Sequence, residues 1–296
     1  MKLLSIGLNH KTAPIDVRER LTFGPDIVAG ALRDLTMRDG VHEAVILSTC
    51  NRTEIYGAVE DGGEETLRTW LGGFHGIEFE RVEPYLYAHA DQDSVLHLLR
   101  VSSGLDSMVL GEPQILGQVK SAFQTAADCT ATGKLLGRLF QHAFSVAKTV
   151  RTDTAIGSSP VSVAYAAVTL AQQFFSDFKK HTALLVGAGV TIELVAKHLK
   201  RKNIGRLFVA NRNIARAHDL ASQFGGFGLA LSDLEGTLPE ADILISSTAS
   251  PTAVVTRSQM EAAIKARRRK PIFAVDIAVP RDIEAEVAKL DDVYLY

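Results

Sequence analysis

The chain of 296 residues is longer than one ordinary domain, so two domains are the natural expectation. A hydrophobic fraction of 46% with 22% charged residues is typical of a globular protein with a sizeable core. No run of about 18 apolar residues is present, which excludes a membrane-spanning helix, and Asn9 and His10 come too early for a secretory signal. Only Cys50 and Cys129 occur, so neither a disulfide framework nor paired zinc ligands are expected. These features predict a cytoplasmic protein without a membrane or metal partner.

The net charge of −2 is divided unevenly between the two halves of the chain. Residues 1–156 carry 15 Lys and Arg against 20 Asp and Glu, whereas residues 157–296 carry 17 against 14. Neither half has the strongly basic composition of a general nucleic-acid-binding protein. Any nucleic-acid partner would therefore be held by local patches.

The first half predicts a β-α-β-β-α-β order of elements, which is that of a ferredoxin-like α+β domain. Strand-like runs cover 2–8, 43–48, 54–59 and 85–87, and helical spacing covers 25–38 and 64–74. Residues 91–153 are mainly helical, with a polar interruption at 106–114, and form a helical extension of this domain.

Residues 156–160, IGSSP, are the clearest boundary in the chain. They combine a glycine, two capping serines and a proline suited to the first turn of a new helix. We therefore predict a catalytic domain over 1–156 and a second domain over 157–296.

The second half alternates short strands with helices, so the overall fold class is α/β. Strands are predicted at 183–186, 206–210, 243–246 and 272–275, and helices at 191–202, 214–224 and 258–267. Such alternation indicates a mostly parallel sheet covered by helices, as in a Rossmann-type domain.

The stretch 47–54, LSTCNRTE, places Cys50 in a polar turn between two predicted strands. Arg52 follows two residues later, and a nearby cation favours the thiolate over the thiol. Thr49, Asn51 and the backbone amides of the turn are donors of the kind that hold a developing oxyanion. From this turn alone, a nucleophile and a buried, inert cysteine both remain open.

Residues 184–192, LLVGAGVTI, are typical of a strand that enters a glycine-rich turn and then a helix. Gly187 permits the tight turn, and Gly189 lets a pyrophosphate approach the helix N-terminus. Ile192 stands where the full fingerprint has its third glycine, so the match is partial. The predicted phosphate-binding turn consists of Gly187, Ala188, Gly189, Val190, Thr191 and Ile192.

The end of the next predicted strand indicates which dinucleotide is bound. An NAD site normally offers Asp or Glu there for the ribose hydroxyls, but this chain has Asn211 and Arg212. A guanidinium pairs with a 2′-phosphate that a carboxylate would repel. NADPH is therefore favoured, with a merely solvated Arg212 as the alternative.

Together these motifs resemble the glutamyl-tRNA reductase family, which opens the five-carbon route to tetrapyrroles. The similar blocks follow one another along nearly the whole chain, at 7–14, 47–54, 103–107, 111–118, 187–194 and 275–281. The resemblance implies NADPH-dependent reduction of glutamyl-tRNA to glutamate-1-semialdehyde, with release of tRNA.

The resemblance also implies roles for individual residues. Cys50 corresponds to the nucleophile that forms a thioester, and His97 to a histidine that matters for activity. From its neighbours alone, His97 could equally be a structural histidine. The residues that resemble the glutamate-binding wall are Thr49, Asn51, Arg52, Ser107, Glu112, Pro113, Gln114 and Gln118.

Two further expectations concern partners. The family continues beyond the position of Tyr296 into a dimerisation domain, so the chain looks like a fragment of a homodimeric protein. The resemblance also suggests hand-over of the product to the next enzyme of the pathway.

Two other functions remain open on the sequence. A small-molecule NADP oxidoreductase resembling shikimate dehydrogenase would share the cofactor domain and need no nucleophilic cysteine. A non-enzymatic nucleotide sensor with Cys50 as a redox switch would bind the cofactor without turnover.

Overall fold

The computed structural model describes residues 1–60, 62–157 and 162–296. The chain forms two compact units, Met1–Ser162 and Val163–Tyr296. Ser158, Ser159 and Pro160 of the predicted boundary lie outside the described residues, so the predicted border at 156/157 stays a prediction. Within the described ranges, no helix combines the length and the apolar character that crossing a membrane requires.

The first unit contains four strands and seven α-helices in its described part. They are β1 (Lys2–Asn9), α1 (Ile15–Arg20), α2 (Val28–Thr36), β2 (Val41–Ser48), β3 (Arg52–Val59), α3 (Gly63–Phe74), α4 (Phe79–Val82), β4 (Tyr87–Ala90), α5 (Asp91–Ser102), α6 (Gln114–Asp128) and α7 (Lys134–Asp153). The strands form an antiparallel sheet in the order β2-β3-β1-β4. This is the ferredoxin-like arrangement predicted from the sequence.

Besides the unpredicted short helix α4 and the earlier start of β3 at Arg52, the fourth strand and helix α1 differ from the prediction. The fourth strand begins at Tyr87, not at residue 85, because Glu83–Tyr85 form a 3₁₀ turn around Pro84. The short helix α1 was not predicted, since it buries none of its residues and shows no apolar periodicity.

The two faces of this sheet have different coverings. On one face, Gly57 of β3 lies against Leu67 of α3. On the other face, the ring of Tyr56 packs against Phe140 of α7 at 5.6 Å. Because successive strand residues point to opposite faces, the even-numbered residues of β3 lie beneath α5 and α7. That face carries the polar side chains of the candidate site.

The second unit consists of a parallel β-sheet and helices, which is an α/β architecture. Its elements are α8 (Val163–Phe174), β5 (Thr182–Val186), α9 (Val190–Arg201), β6 (Arg206–Asn211), α10 (Ile214–Gln223), β7 (Phe227–Ala230), α11 (Leu234–Thr237), β8 (Ile243–Ser246), α12 (Arg257–Ala266), β9 (Ile272–Asp276) and β10 (Val293–Leu295). The strand order β7-β6-β5-β8-β9-β10 is that of the Rossmann fold and confirms the predicted class. The edge strands β7 and β10 were not predicted, because they are short and only partly buried.

Candidate active site

Cys50 lies in the tight turn between β2 and β3, and its side chain is half-buried. The Thr49 side chain closes this turn, because its Oγ1 accepts hydrogen bonds of 3.2 Å from the amides of Asn51 and Arg52. The Arg18 guanidinium donates to the carbonyl oxygen of Cys50. The position of the thiol is therefore set by a hydrogen-bonded turn, and Arg18 of helix α1 holds this turn as well.

The ionisation of Cys50 differs from what the sequence suggests. The pKa of its thiol is raised to about 11, first by burial and then by the negative charge of Glu112. Arg18 and Arg52 act in the opposite direction but are outweighed. Burial also raises the pKa of Glu112 above its ordinary value. Arg52 thus acts on the thiol in the direction expected from the sequence, but burial and the charge of Glu112 outweigh it, and the balance favours the thiol over the thiolate.

Arg52 is buried and already engaged within the protein, with a side chain that is 1% exposed. Its Nη1 donates to Glu54 at 2.7 Å, and its Nη2 donates to the carbonyl oxygen and the carboxylate of Asp106 at 2.6 and 3.1 Å. Arg52 thereby ties β3 to the loop that precedes α6. A substrate carboxylate would have to use the remaining N–H groups of Arg52 or displace Asp106.

Glu54, which our reading of the sequence did not single out, is the centre of this site. It is fully buried and accepts hydrogen bonds from Arg52 and from the Tyr56 hydroxyl, the latter at 2.6 Å. It also accepts one from the Tyr87 hydroxyl, and its Oε1 lies 2.9 Å from Nε2 of His97. Burial alone would raise the pKa of Glu54, but the Arg52 charge and these hydrogen bonds hold it far below its ordinary value. Glu54 therefore stays ionised and orients His97.

Gly7 makes room for this carboxylate. It pairs with Glu54 on one side and with Tyr87 on the other. A Cβ at Gly7 would lie 2.4 Å from the carbonyl oxygen of Thr53 and 2.8 Å from Cγ of Glu54, so a larger residue does not fit. Strand alternation places Glu54 on the same face as its neighbours two residues away. That pattern was the sequence signal for the cluster.

His97, on α5, borders an open pocket of about 400 Å³. Its side chain is 10% exposed, and its ring centroid lies 4.6 Å from that of His89. The pocket is lined by Asn9, Tyr87, His89, Asp93, Leu96, His97, Arg100 and Asp106. The structure thus places the predicted histidine at a solvent-accessible recess beside the Glu54 cluster.

The loop that leads into α6 carries the other predicted substrate residues. Gly104 and Gly111 have φ angles of +76° and +81°, and a 2.8 Å backbone hydrogen bond closes the loop between them. Within the loop Ser107 is half-buried. Asp106 is the residue through which Arg52 anchors the loop.

The end of this loop brings Glu112 within electrostatic reach of Cys50. Glu112 is 8% exposed and acts electrostatically on the thiol. Pro113 is exposed, Gln114 begins α6, and Gln118 lies one turn later. The Gln114 Oε1 is buried and accepts no hydrogen bond from the described residues. An unpaired buried acceptor is costly, and a ligand with a donor group would satisfy it.

The second unit has a pocket of about 380 Å³ at the C-terminal ends of β5, β6 and β8, where Rossmann domains bind dinucleotides. It is lined by Gly187, Ala188, Gly189, Asn211, Arg212, Arg216, Leu231, Ser247, Thr248, Ala249, Ser250 and Val254. Val190 and Thr191 are outside this lining. The Ile192 side chain is fully buried in the core, so its predicted part in the phosphate-binding turn would fall to its backbone and stays a prediction.

Gly187 is required by the geometry of the turn. Its φ is +114°, and a Cβ there would lie 2.4 Å from the carbonyl oxygen of Ser247. Gly189 is the N-cap residue of α9, so the backbone amides at the start of that helix follow it directly. These features leave the turn without side chains where a pyrophosphate would approach.

Arg216 is a pocket residue that the sequence analysis missed. It lies in the first turn of α10, and its amide donates to the capping Oδ1 of Asn213 at 3.2 Å. Arg212 and Arg216 line the same pocket, and neither forms an ion pair with another described residue. The available signal was the position of Arg216 in the first turn of the helix that follows β6, close in sequence to Arg212.

Asp282 anchors the pocket loop that follows β8 and was also missed. This fully buried carboxylate accepts a hydrogen bond from the Thr248 amide at 2.7 Å and another from the Thr248 hydroxyl. The same hydroxyl accepts one from the amide of Ser250. Burial raises the pKa of Asp282 to about 6, and the charge of Asp276 contributes.

The fold and the two sites define an α/β protein that joins a thiol-bearing ferredoxin-like unit to a Rossmann-type nucleotide-binding unit. Residues 6–154 match the family described as glutamyl-tRNAGlu reductase, N-terminal domain. Residues 169–296 match the family described as shikimate/quinate 5-dehydrogenase.

Whole-chain similarity is consistent with the first of these matches. The glutamyl-tRNA reductases of Alkalilimnicola ehrlichii and Nitrosococcus oceani are 55% and 54% identical over the full chain, which spans 66% and 70% of their lengths. The solved glutamyl-tRNA reductase from Methanopyrus kandleri is 34% identical, with a TM-score of 0.52 over 99% of this chain and 70% of that one. The chain belongs to the glutamyl-tRNA reductase family.

Proposed function

We propose that the chain reduces glutamyl-tRNA to glutamate-1-semialdehyde with NADPH and releases tRNA, the first step of five-carbon tetrapyrrole biosynthesis. The observation that carries this proposal is the half-buried Cys50 thiol, held in a hydrogen-bonded turn beside Glu112. Membership of the family supports the choice of substrate.

In the proposed reaction, Sγ of Cys50 attacks the ester carbonyl carbon of the glutamyl group. A C–S bond forms, the C–O bond to the terminal ribose breaks, and the thiol proton ends on the ribose oxygen. The resulting thioester is easier to reduce than an oxygen ester, so the chemistry is divided into two accessible steps.

Substrate binding itself would activate the thiol. The carboxylate of Glu112 raises the pKa of Cys50 in the free protein. The ammonium group of a bound glutamyl ester would neutralise that carboxylate and so lower the thiol pKa. The unsatisfied Oε1 of Gln114, two residues along the chain from Glu112, is a second acceptor that we assign to the substrate. His97, held by Glu54, is the proposed proton-transfer residue.

Two features of the nucleotide pocket support NADPH as the proposed cofactor. The glycine turn leaves space for the pyrophosphate, and Arg212 and Arg216 offer two unpaired cations for a 2′-phosphate. When bound, NADPH supplies the hydride that reduces the thioester carbonyl. The residues of the pocket bind and orient it, and Asp282 holds the loop that forms one wall.

Product identification tests this proposal. The protein mixed with glutamyl-tRNA and NADPH should yield glutamate-1-semialdehyde and uncharged tRNA. Without NADPH it should slowly release free glutamate, because water intercepts a thioester that awaits hydride. Absence of both products would contradict the proposal.

A small-molecule NADP oxidoreductase is the second candidate, favoured by the shikimate/quinate 5-dehydrogenase match over 169–296. That function gives the Cys50 turn no role. Release of glutamate from glutamyl-tRNA without cofactor is therefore expected of the proposed reductase and not of a small-molecule oxidoreductase. A redox sensor is disfavoured, since sensor thiols have low pKa values and that of Cys50 is about 11.

A further inference from the structure

The long helix α7 carries a row of exposed cationic side chains. Lys134, Arg138 and Lys148 are exposed, and their spacing places them on one side of the helix. We call these three residues the α7 cationic face. Gln141 and Ser145 lie between them on the same side, so the whole stripe is polar.

The charge of this face is not a general property of its unit. Residues 1–156 contain more acids than bases, yet α7 has no Asp or Glu before its last residue, Asp153. None of the three cations forms an ion pair with another described residue. Lys134 is the first residue of the helix, where the macrodipole disfavours positive charge. Neither helix electrostatics nor internal pairing explains the row.

A recess beside the row is open to a ligand. It has a volume of about 390 Å³ and is lined by Phe123, Gly133, Lys134, Gly137, Arg138 and Gln141. A Cβ at Gly137 would meet nothing within 4 Å, so packing does not demand a glycine there. Glycine in a helix interior is about 1 kcal/mol less favourable than alanine. Its presence keeps the recess open for close approach.

The helix also leads towards the Cys50 side of the unit. At its start, Glu43 accepts hydrogen bonds from the amides of Leu135 and Leu136, and Glu43 lies near the beginning of β2, whose other end precedes Cys50. Near its end, Arg151 donates to the carbonyl oxygen of Gly111 in the substrate loop, at 3.1 Å. A helix of 20 residues spans about 30 Å.

We propose that the α7 cationic face binds the phosphate backbone of the tRNA substrate and directs its charged end towards the substrate loop. This inference rests on the proposed function. Lys and Arg contacts to phosphates position a nucleic acid without reading its sequence. The face therefore contributes affinity and orientation, whereas the Cys50 site selects the glutamyl group.

The test compares two triple variants of equal charge change. One is Lys134→Gln, Arg138→Gln and Lys148→Gln. The control is Lys2→Gln, Arg33→Gln and Arg81→Gln, three exposed cations elsewhere in the same unit that form no ion pair with a described residue. The probe is uncharged tRNA that accepts glutamate, titrated at several salt concentrations.

For the α7 variant, the plot of the logarithm of the tRNA association constant against the logarithm of salt concentration should become less steep, by about one unit of slope per removed cation. Binding at low salt should weaken at least about tenfold, and the control should match the parent. The KM for glutamyl-tRNA should rise, with kcat, NADPH affinity and melting temperature unchanged. Gly137→Gln should also weaken tRNA binding without lowering the melting temperature.

The outcomes separate this inference from the proposed function. Parent-like slope and affinity in the α7 variant would overturn the inference alone. Equal losses in both triple variants would also overturn it, by showing that only the net charge matters. A parent protein that does not bind the tRNA at all would contradict the proposed function itself.

Discussion

The Oε1 atom of Glu54 lies 2.9 Å from Nε2 of His97, inside a cluster in which the same carboxylate binds Arg52 and two tyrosine hydroxyls. Because a buried charge without partners is strongly destabilising, loss of one partner in this cluster costs the unit stability. His97 is therefore held by a carboxylate whose pKa lies far below its ordinary value and which is ionised near neutral pH. The orientation of the proposed proton-transfer residue is a consequence of the fold.

Glu54→Gln should lower the free energy of unfolding by about 3–5 kcal/mol near neutral pH, because it leaves Arg52 buried without its main counter-charge. The folded-state pKa of Glu54 lies far below its ordinary value. Its stabilisation is thus present above the ordinary glutamate pKa of about 4.3 and is lost as pH falls.

Urea denaturation of parent and variant between about pH 7 and about pH 3 measures this effect. The difference in unfolding free energy should shrink as the solution becomes more acidic. Tyr87→Phe, which removes one hydrogen bond and no charge, is the control. A pH-independent difference for Glu54→Gln would show that the carboxylate is not held ionised as described.

Glu112→Gln should lower the pKa of the Cys50 thiol from about 11, because it removes the negative charge that helps to raise it. Arg18→Gln should have the opposite effect, since the Arg18 charge lowers that pKa. The pH dependence of Cys50 alkylation in the free protein reports both shifts. Identical alkylation profiles for the two variants would contradict the electrostatic account of the thiol.

The elements of this fold were largely predictable because their patterns are local. Strands β2 and β5 contain the apolar runs 44–47 and 183–186, and the strand–turn–helix around Gly187 is a contiguous motif. The short edge strand β7 was missed, since its four residues are exposed or only partly buried.

The candidate site was only partly predictable. Cys50 and its turn are contiguous in sequence, but the Glu54 cluster depends on β1, β3 and β4 lying side by side. Likewise, Asp282 reaches Thr248 across 34 residues of chain. Pairing between distant segments decides such contacts, whereas strand alternation shows only that Arg52, Glu54 and Tyr56 share one face.

Arg212→Ala should weaken NADPH binding by about 10- to 150-fold, which corresponds to one charge-assisted hydrogen bond of about 1.5–3 kcal/mol. Arg216→Ala should behave in the same way, because both residues line the pocket without an ion-pair partner among the described residues. Neither change should affect NADH appreciably. The measurement is titration of each variant with both cofactors. Equal losses of affinity for NADH and NADPH would show that these residues support the fold and do not bind the 2′-phosphate.

Thr248→Val should weaken NADPH binding by about 5- to 30-fold, because it removes the hydroxyl that joins Asp282 to the pocket loop. Thr248→Ser keeps that hydroxyl and should bind like the parent. Cofactor-free discharge of glutamyl-tRNA should be unchanged in both variants. Equal cofactor affinity in the valine and serine variants would show that the anchor does not shape the pocket.

The central claim is that Cys50 carries the glutamyl group between tRNA and hydride. Its most direct test is peptide mass spectrometry after the protein is incubated with glutamyl-tRNA in the absence of NADPH and quenched in acid. The account predicts one glutamyl group on the peptide that contains Cys50 and no adduct in Cys50→Ser. When NADPH is added, the adduct should disappear and glutamate-1-semialdehyde should form. Semialdehyde formation by Cys50→Ser at the parent rate, or the same adduct on another residue, would contradict it.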